Sequence, residues 1–172
     1  MTLTRVTTVL FIVINFAALA CSLSHTPALE VMGLHIGMDK ADAKARLNEI
    51  SEFIRNEGRN QEIWNLKDPS RFTAVAVGYR EDKIRYVTAF VDKNQATEHI
   101  AFSSVGDLQK AKAEIMEPHY RYIWDFAPSG DEQACSVIAY GDNPDFLTMY
   151  TLVEKAGSSE SSKTGTEEED DD

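Results

Sequence analysis

Residues 119–126 read His119-Tyr120-Arg121-Tyr122-Ile123-Trp124-Asp125-Phe126. Tyr120, Tyr122, Trp124 and Phe126 alternate strictly with His119, Arg121, Ile123 and Asp125. A period of two is the signature of a β-strand, whose successive side chains point to opposite faces. One face of this strand is therefore an aromatic stripe. Its plain reading is core packing beneath helices. The sharper reading is a partner or ligand face, since Tyr and Trp often anchor interfaces.

The stripe belongs to a run of strand-like segments. Pro128-Ser129-Gly130-Asp131 turns the chain, Ala134–Tyr140 reads as a strand, Gly141–Asp145 turns it again, and Phe146–Val153 returns. Upstream, Phe72–Tyr79 and Ile84–Val91 are rich in Val, Ala and aromatics and flank the polar turn Arg80-Glu81-Asp82-Lys83. In the second of these, Ile84, Tyr86, Thr88 and Phe90 share one face and Val87, Ala89 and Val91 the other. Both faces are partly apolar, which places this hairpin inside a sheet. A shorter strand surrounds Trp64, at Glu62–Leu66, and another covers His99–Phe102. Consecutive strands joined by short turns form an antiparallel meander.

Two helices are expected beside the sheet. Asp39 is a good N-cap with Asp42 three residues on. Ala43, Leu47, Ile50 and Ile54 then recur at helical spacing until Gly58, which predicts a helix over 40–57. Ser104 as N-cap, with Leu108, Ala111 and Ile115 at the same spacing and Pro118 beyond, predicts a second helix. The expected fold class is α+β: two helices packed on one face of an antiparallel sheet of about five to six strands.

The N-terminus has a different character. Arg5 is followed by an apolar run from Val6 to Ala20 that ends in small residues. Its length, about 15 residues, is short for a bilayer crossing, which needs about 20. Residues 1–20 are expected to be a secretory signal peptide; an uncleaved anchor helix is the other reading. Ala18-Leu19-Ala20 also fits ordinary signal peptidase. The next residue is Cys21, and Ala17-Ala18-Leu19-Ala20-Cys21 resembles a lipobox, with Ala18 where Leu is usual. Cys21 is then the lipid attachment site, and acyl chains there give a lasting anchor. In enteric-type lipoproteins an Asp after the Cys holds the protein at the inner membrane; Ser22 favours the outer one by resemblance. If Cys21 is not lipidated, it can form a disulfide with Cys135, the only other cysteine.

Residues 21–32 read as a tether, 33–155 as one α+β domain, and 156–172 as a disordered acidic tail ending Glu167-Glu168-Glu169-Asp170-Asp171-Asp172. The net charge is −11. About half of it lies in the tail, which leaves the domain moderately acidic. Such a surface repels nucleic acid, so no nucleic-acid partner is expected.

Catalytic and ligating motifs are not found. His25, His35, His99 and His119 have no zinc spacing, and neither G-x-S-x-G nor a glycine-rich phosphate loop occurs. No cofactor, metal or catalytic residue is expected, and the chain is not expected to be an enzyme.

Gly33-Leu34-His35-Ile36-Gly37-Met38-Asp39-Lys40-Ala41-Asp42-Ala43 resembles the opening of small exported domains of the SmpA/OmlA (BamE-like) and β-lactamase-inhibitor-like group. The resemblance implies a helix-on-sheet binding module. Members of the first kind are outer-membrane lipoproteins that support insertion of β-barrel proteins. The expected function is thus an outer-membrane-anchored lipoprotein facing the periplasm that binds a protein partner in envelope assembly or maintenance. The alternative is a soluble periplasmic inhibitor or small-ligand-binding module that uses its sheet face.

Overall fold

The computed structural model describes residues 26–127 and 133–155. The signal segment, Cys21, the turn at 128–131 and the acidic tail lie outside the described residues.

Eight strands form one antiparallel sheet. They are β1 (Ser51–Glu57), β2 (Gln61–Leu66), β3 (Ala74–Arg80), β4 (Lys83–Phe90), β5 (Lys112–Met116), β6 (His119–Phe126), β7 (Cys135–Gly141) and β8 (Met149–Glu154). Their order across the sheet is β1-β2-β3-β4-β8-β7-β6-β5. Among the described residues helices are minor: α1 spans Lys40–Ile50, α2 spans only Phe102–Val105, and a single 3₁₀ turn covers Leu108–Lys110. The expectation of two substantial helices on five or six strands is therefore overturned.

The first difference lies at 51–57. Ala43 and Leu47 are fully buried as a helical face requires, but the helix stops at Ile50. Ser51 Oγ donates to the Leu47 carbonyl at 2.5 Å. Lys67 Nζ donates to the Asn48 and Glu49 carbonyls at 2.8 and 2.9 Å, and the Lys67 amide to the Ile50 carbonyl at 3.0 Å. These donors satisfy carbonyls that a helix end leaves open. From Ser51 the chain pairs with β2, and Phe53 meets Trp64 edge-on with ring centroids 5.2 Å apart. Gly58, at φ +66°, serves the β1–β2 turn and not a helix cap. Helical spacing through Ile54 was real, yet Ile54 is 42 % exposed on a strand. Pairing with β2 outweighs local propensity here.

The second difference is larger. Asp107, not Ser104, performs a capping role: its carboxylate accepts from the Gln109 amide at 3.0 Å and starts the 3₁₀ turn. The chain then extends into β5, which pairs with β6 from Lys112–Ile123 to Met116–His119. A long helix there would have left the edge of β6 without a ladder partner. His99–Phe102 is likewise no strand; only an isolated bridge joins Ala101 to Phe146. Asp39 makes no capping bond, and its carboxylate faces Lys83 Nζ at 3.6 Å.

A bulge between Gly78 and Tyr79 changes the facing of Ile84. Ile84 pairs with Tyr79 and is buried with Val87 and Ala89, while Tyr86, Thr88 and Phe90 take the opposite face.

The core lies on one face only. Trp64, Val75, Val77, Val87, Leu152, Val137, Ala139 and Trp124 form its sheet side. Ala43 and Leu47 of α1, Phe102 and Val105 of α2, and Val31 and Leu34 of the leading segment cover them. Pro27 is already buried, close against Gly106, and Ala28 accepts a hydrogen bond from the Tyr150 hydroxyl at 2.7 Å. Among the described residues, packing is thus already present at Pro27, within the stretch expected to be a tether. Full burial of residues the size of Leu34, Leu47 and Leu152 stabilises by about 1.5–3 kcal/mol each.

The order of strands also contains a two-fold relation. Each half runs through a short helix and then four meandering strands, and the halves meet at β4 and β8. Trp64 opposes Val75 in one half, as Trp124 opposes Val137 in the other.

Candidate functional site

The aromatic stripe falls on the covered face. Trp124 is 4 % exposed, and its indole N–H donates to the Asp107 carbonyl at 3.0 Å. Tyr122 packs against Phe102 with ring centroids 4.9 Å apart. Tyr120, Tyr122 and Phe126 are half-buried against the core. The four residues share one side of β6, but Trp124 is a core residue and the stripe as a whole is not an open binding face.

The opposite face of the sheet carries no described helix. None of its side chains belongs to the core cluster. One row of paired residues crosses all eight strands. On the first half it runs Arg55, Ile63, Ala76, Thr88. On the second half it runs Thr151, Ile138, Ile123, Lys112. The two halves join where Thr88 Oγ1 meets Thr151 Oγ1 at 3.0 Å. The row is thus apolar and hydroxylic in the middle and cationic at both ends. Ile63, Ile138, Ile123 and Thr151 are half-buried, and Ala76 and Thr88 are nearly closed off by their neighbours.

On one side of this row, Gly78 is overlain by the Tyr86 ring. The Tyr86 hydroxyl donates to Gln61 Oε1 at 2.6 Å, and desolvation raises its pKa. Farther along the same side, beyond Val153, Ser136 Oγ donates to Asp125 at 2.6 Å, and Lys155 lies 3.1 Å from the same carboxylate. These bonds hold the Asp125 carboxyl below its usual range. On the other side, Arg121 pairs with Glu114 at 2.9 Å. His119 Nδ1 bonds the Tyr140 hydroxyl and the rings stack at 5.8 Å. The centre of this face is therefore apolar and its margins are charged, as at protein interfaces.

A concavity lies on the covered side. It is a cavity of about 500 Å³. The leading segment (Ala28, Glu30, Val31, Met32) and the end of α1 (Arg46, Ile50) form one wall. The β2–β3 connection (Leu66, Asp68, Ser70, Arg71, Phe72) forms a second. Ile100, Ser104, Val105 and Tyr150 complete the lining. Burial pushes the Tyr150 phenol up to about 12.

Among the described residues, no group of three or more His, Cys, Asp or Glu side chains is placed to hold a metal ion. No described helix is long and apolar enough to cross a membrane. Cys135 is buried on the covered face of β7, 4 % exposed. The open-face residues were not singled out from sequence. Their signal in the sequence is the apolar character of both faces of the β3–β4 hairpin, which equally fits an interior position in the sheet. Compared with known proteins, the chain matches no family model, no curated protein and no solved structure.

Proposed function

We propose that this chain is an exported lipoprotein, anchored through Cys21 at the periplasmic side of the outer membrane, and that its domain is a non-enzymatic protein-binding module for envelope assembly or maintenance. The observation that carries the binding part is the row through Ile63, Thr88, Thr151 and Ile138, on a sheet face that no described helix covers. A broad, shallow surface with an apolar centre and charged margins suits a folded protein better than a small molecule, which needs enclosure. The leader and Cys21 support the address, and the resemblance at 33–43 agrees with it.

Photo-crosslinking from single positions in the exported chain tests this. Probes at Ile138 and Thr151 should capture one defined envelope protein, and a probe at Glu49 on the outer side of α1 should not. Fatty-acid labelling should be present in the wild type and lost in Cys21→Ala. Equal capture from all three positions, or an unlabelled wild type, would count against the reading.

A further inference from the structure

The covered-side cavity has the build of a lipid site, and the argument for its ligand rests in part on the anchor proposed above. Ile50, Leu66, Phe72, Ile100 and Val105 give it apolar walls. Tyr150 lies in the lining with its hydroxyl already donated to the Ala28 carbonyl. These walls thus favour an apolar body. Its volume, about 500 Å³, falls in the range of small-molecule sites.

The rim carries both signs of charge. Arg46 is fixed by donating from Nε to the Met32 carbonyl at 2.9 Å and from Nη1 to Glu49 at 3.0 Å. Arg71 makes a looser pair, 3.6 Å from Glu98, with more than half of its side chain exposed. Glu30 and Asp68 line the same cavity. The Ser70 amide donates to Asp68 at 3.0 Å and holds its carboxyl low, so that it stays charged. A bare anion would meet the two carboxylates, and a bare cation the two guanidiniums. With Arg46 already engaged, a head group with a phosphate for Arg71 and an ammonium for Glu30 and Asp68 answers both signs.

Chain length fixes the setting. Ala28 is seven residues after Cys21, a reach of at most about 25 Å when extended. A lipid on Cys21 would therefore keep this cavity close to the bilayer. We propose that the cavity takes up the acyl chain of a single-chain zwitterionic lipid, supplied by that membrane, with its head between Arg71 and the Glu30–Asp68 pair.

The test uses the full chain, exported with Cys21→Ser so that it carries no lipid of its own, and titrated with lysophosphatidylethanolamine. Native mass spectrometry and displacement of a fluorescent acyl probe should give saturable one-to-one binding. Arg71→Glu should weaken it about tenfold, and Ser104→Trp at the lining should weaken it at least as much. Both positions are exposed, so melting should stay unchanged. Palmitate and dodecylammonium should bind at least tenfold more weakly; equal binding by either overturns the zwitterionic assignment. No saturable uptake, or uptake unaffected by Ser104→Trp in a folded chain, overturns the site. The membrane source has its own arm: the wild-type lipidated chain should extract the lysolipid from phosphatidylethanolamine vesicles, and failure to do so overturns that source. Fatty-acid labelling at Cys21 separates this idea from the anchor. A labelled chain that binds no lysolipid sinks the cavity assignment alone, whereas an unlabelled chain that binds it supports the cavity and sinks the membrane source with the anchor.

Discussion

Tyr86 lies across Gly78 on the open face of the sheet, and its hydroxyl reaches over β3 to bond Gln61 on β2. The absence of a side chain at 78 is what allows the ring to lie there, since an added Cβ would sit inside it. Gly78→Ala should therefore destabilise the domain by about 1–3 kcal/mol through overpacking. Adding Tyr86→Ala should recover part of that loss, with a coupling of about 1 kcal/mol or more in a double-mutant cycle. Urea unfolding of the four proteins measures it. Additive losses would mean that the ring has another resting place.

The two tryptophans occupy matching positions but differ in one bond. Trp124 donates to Asp107, whereas the indole nitrogen of Trp64 is buried with no hydrogen-bond partner among the described residues. An unmade bond to a buried donor costs free energy. Trp124→Phe should thus lose about 1 kcal/mol more than Trp64→Phe, the two changes in volume being equal. Comparison of their denaturation midpoints decides this.

Much of the sheet was legible, because period-two patterns at 62–66, 72–91 and 119–126 are strong and the turns between them are polar. The missing strands, β1 and β5, were not. Both sit at sheet edges, and a pair at helical spacing runs from the residue before the strand into each: Ile50 to Ile54 in one case, Ala111 to Ile115 in the other. At an edge only one neighbour supplies ladder bonds, so the local pattern is weak and tertiary pairing decides. The aromatic stripe was legible as a strand face, but its direction was not. Which side of β6 is covered depends on Phe102, Asp107 and Pro27, whose places against Tyr122 and Trp124 a strand pattern does not report.

Stability should fall in alkali. Burial raises the pKa of Tyr150 to about 12, and burial with the nearby Glu62 carboxylate raises that of Tyr79. A group whose folded pKa is raised contributes fully below its unfolded value, near 10, and loses that contribution as pH climbs toward the folded value. Melting temperature should therefore drop between about pH 10 and 12. Tyr150→Phe removes the bond to Ala28, costs about 1 kcal/mol at neutral pH and should flatten the alkaline decline. A series of melts across that window, for both proteins, is the check.

Burial of Cys135 makes a thiol prediction. A maleimide should leave native protein unmodified at this position and label it once denaturant is added, without any reductant. Labelling that needs reductant would instead favour a Cys21–Cys135 disulfide and count against lipidation.

Charge placed on the open face should separate binding from folding. Ile138→Arg puts a cation beside Thr151 and Ile123 on a half-exposed site. The free energy of unfolding should change by less than about 1.5 kcal/mol, while capture of the crosslinked partner falls at least tenfold. Unchanged capture in a folded variant would remove the open face from the interface.

The strand in the middle of the sheet beside β4 is β8, and no described strand follows it in the chain. Until Met149–Glu154 arrives, β4 and β7 each expose a bare margin and Val87 and Val137 lack the leucine that sits between them. The two halves are joined only through β8, so the sheet among the described residues stays open until that strand is in place. Were the chain exported as proposed, this would be a built-in delay: the two halves could not be joined before the keystone strand had crossed.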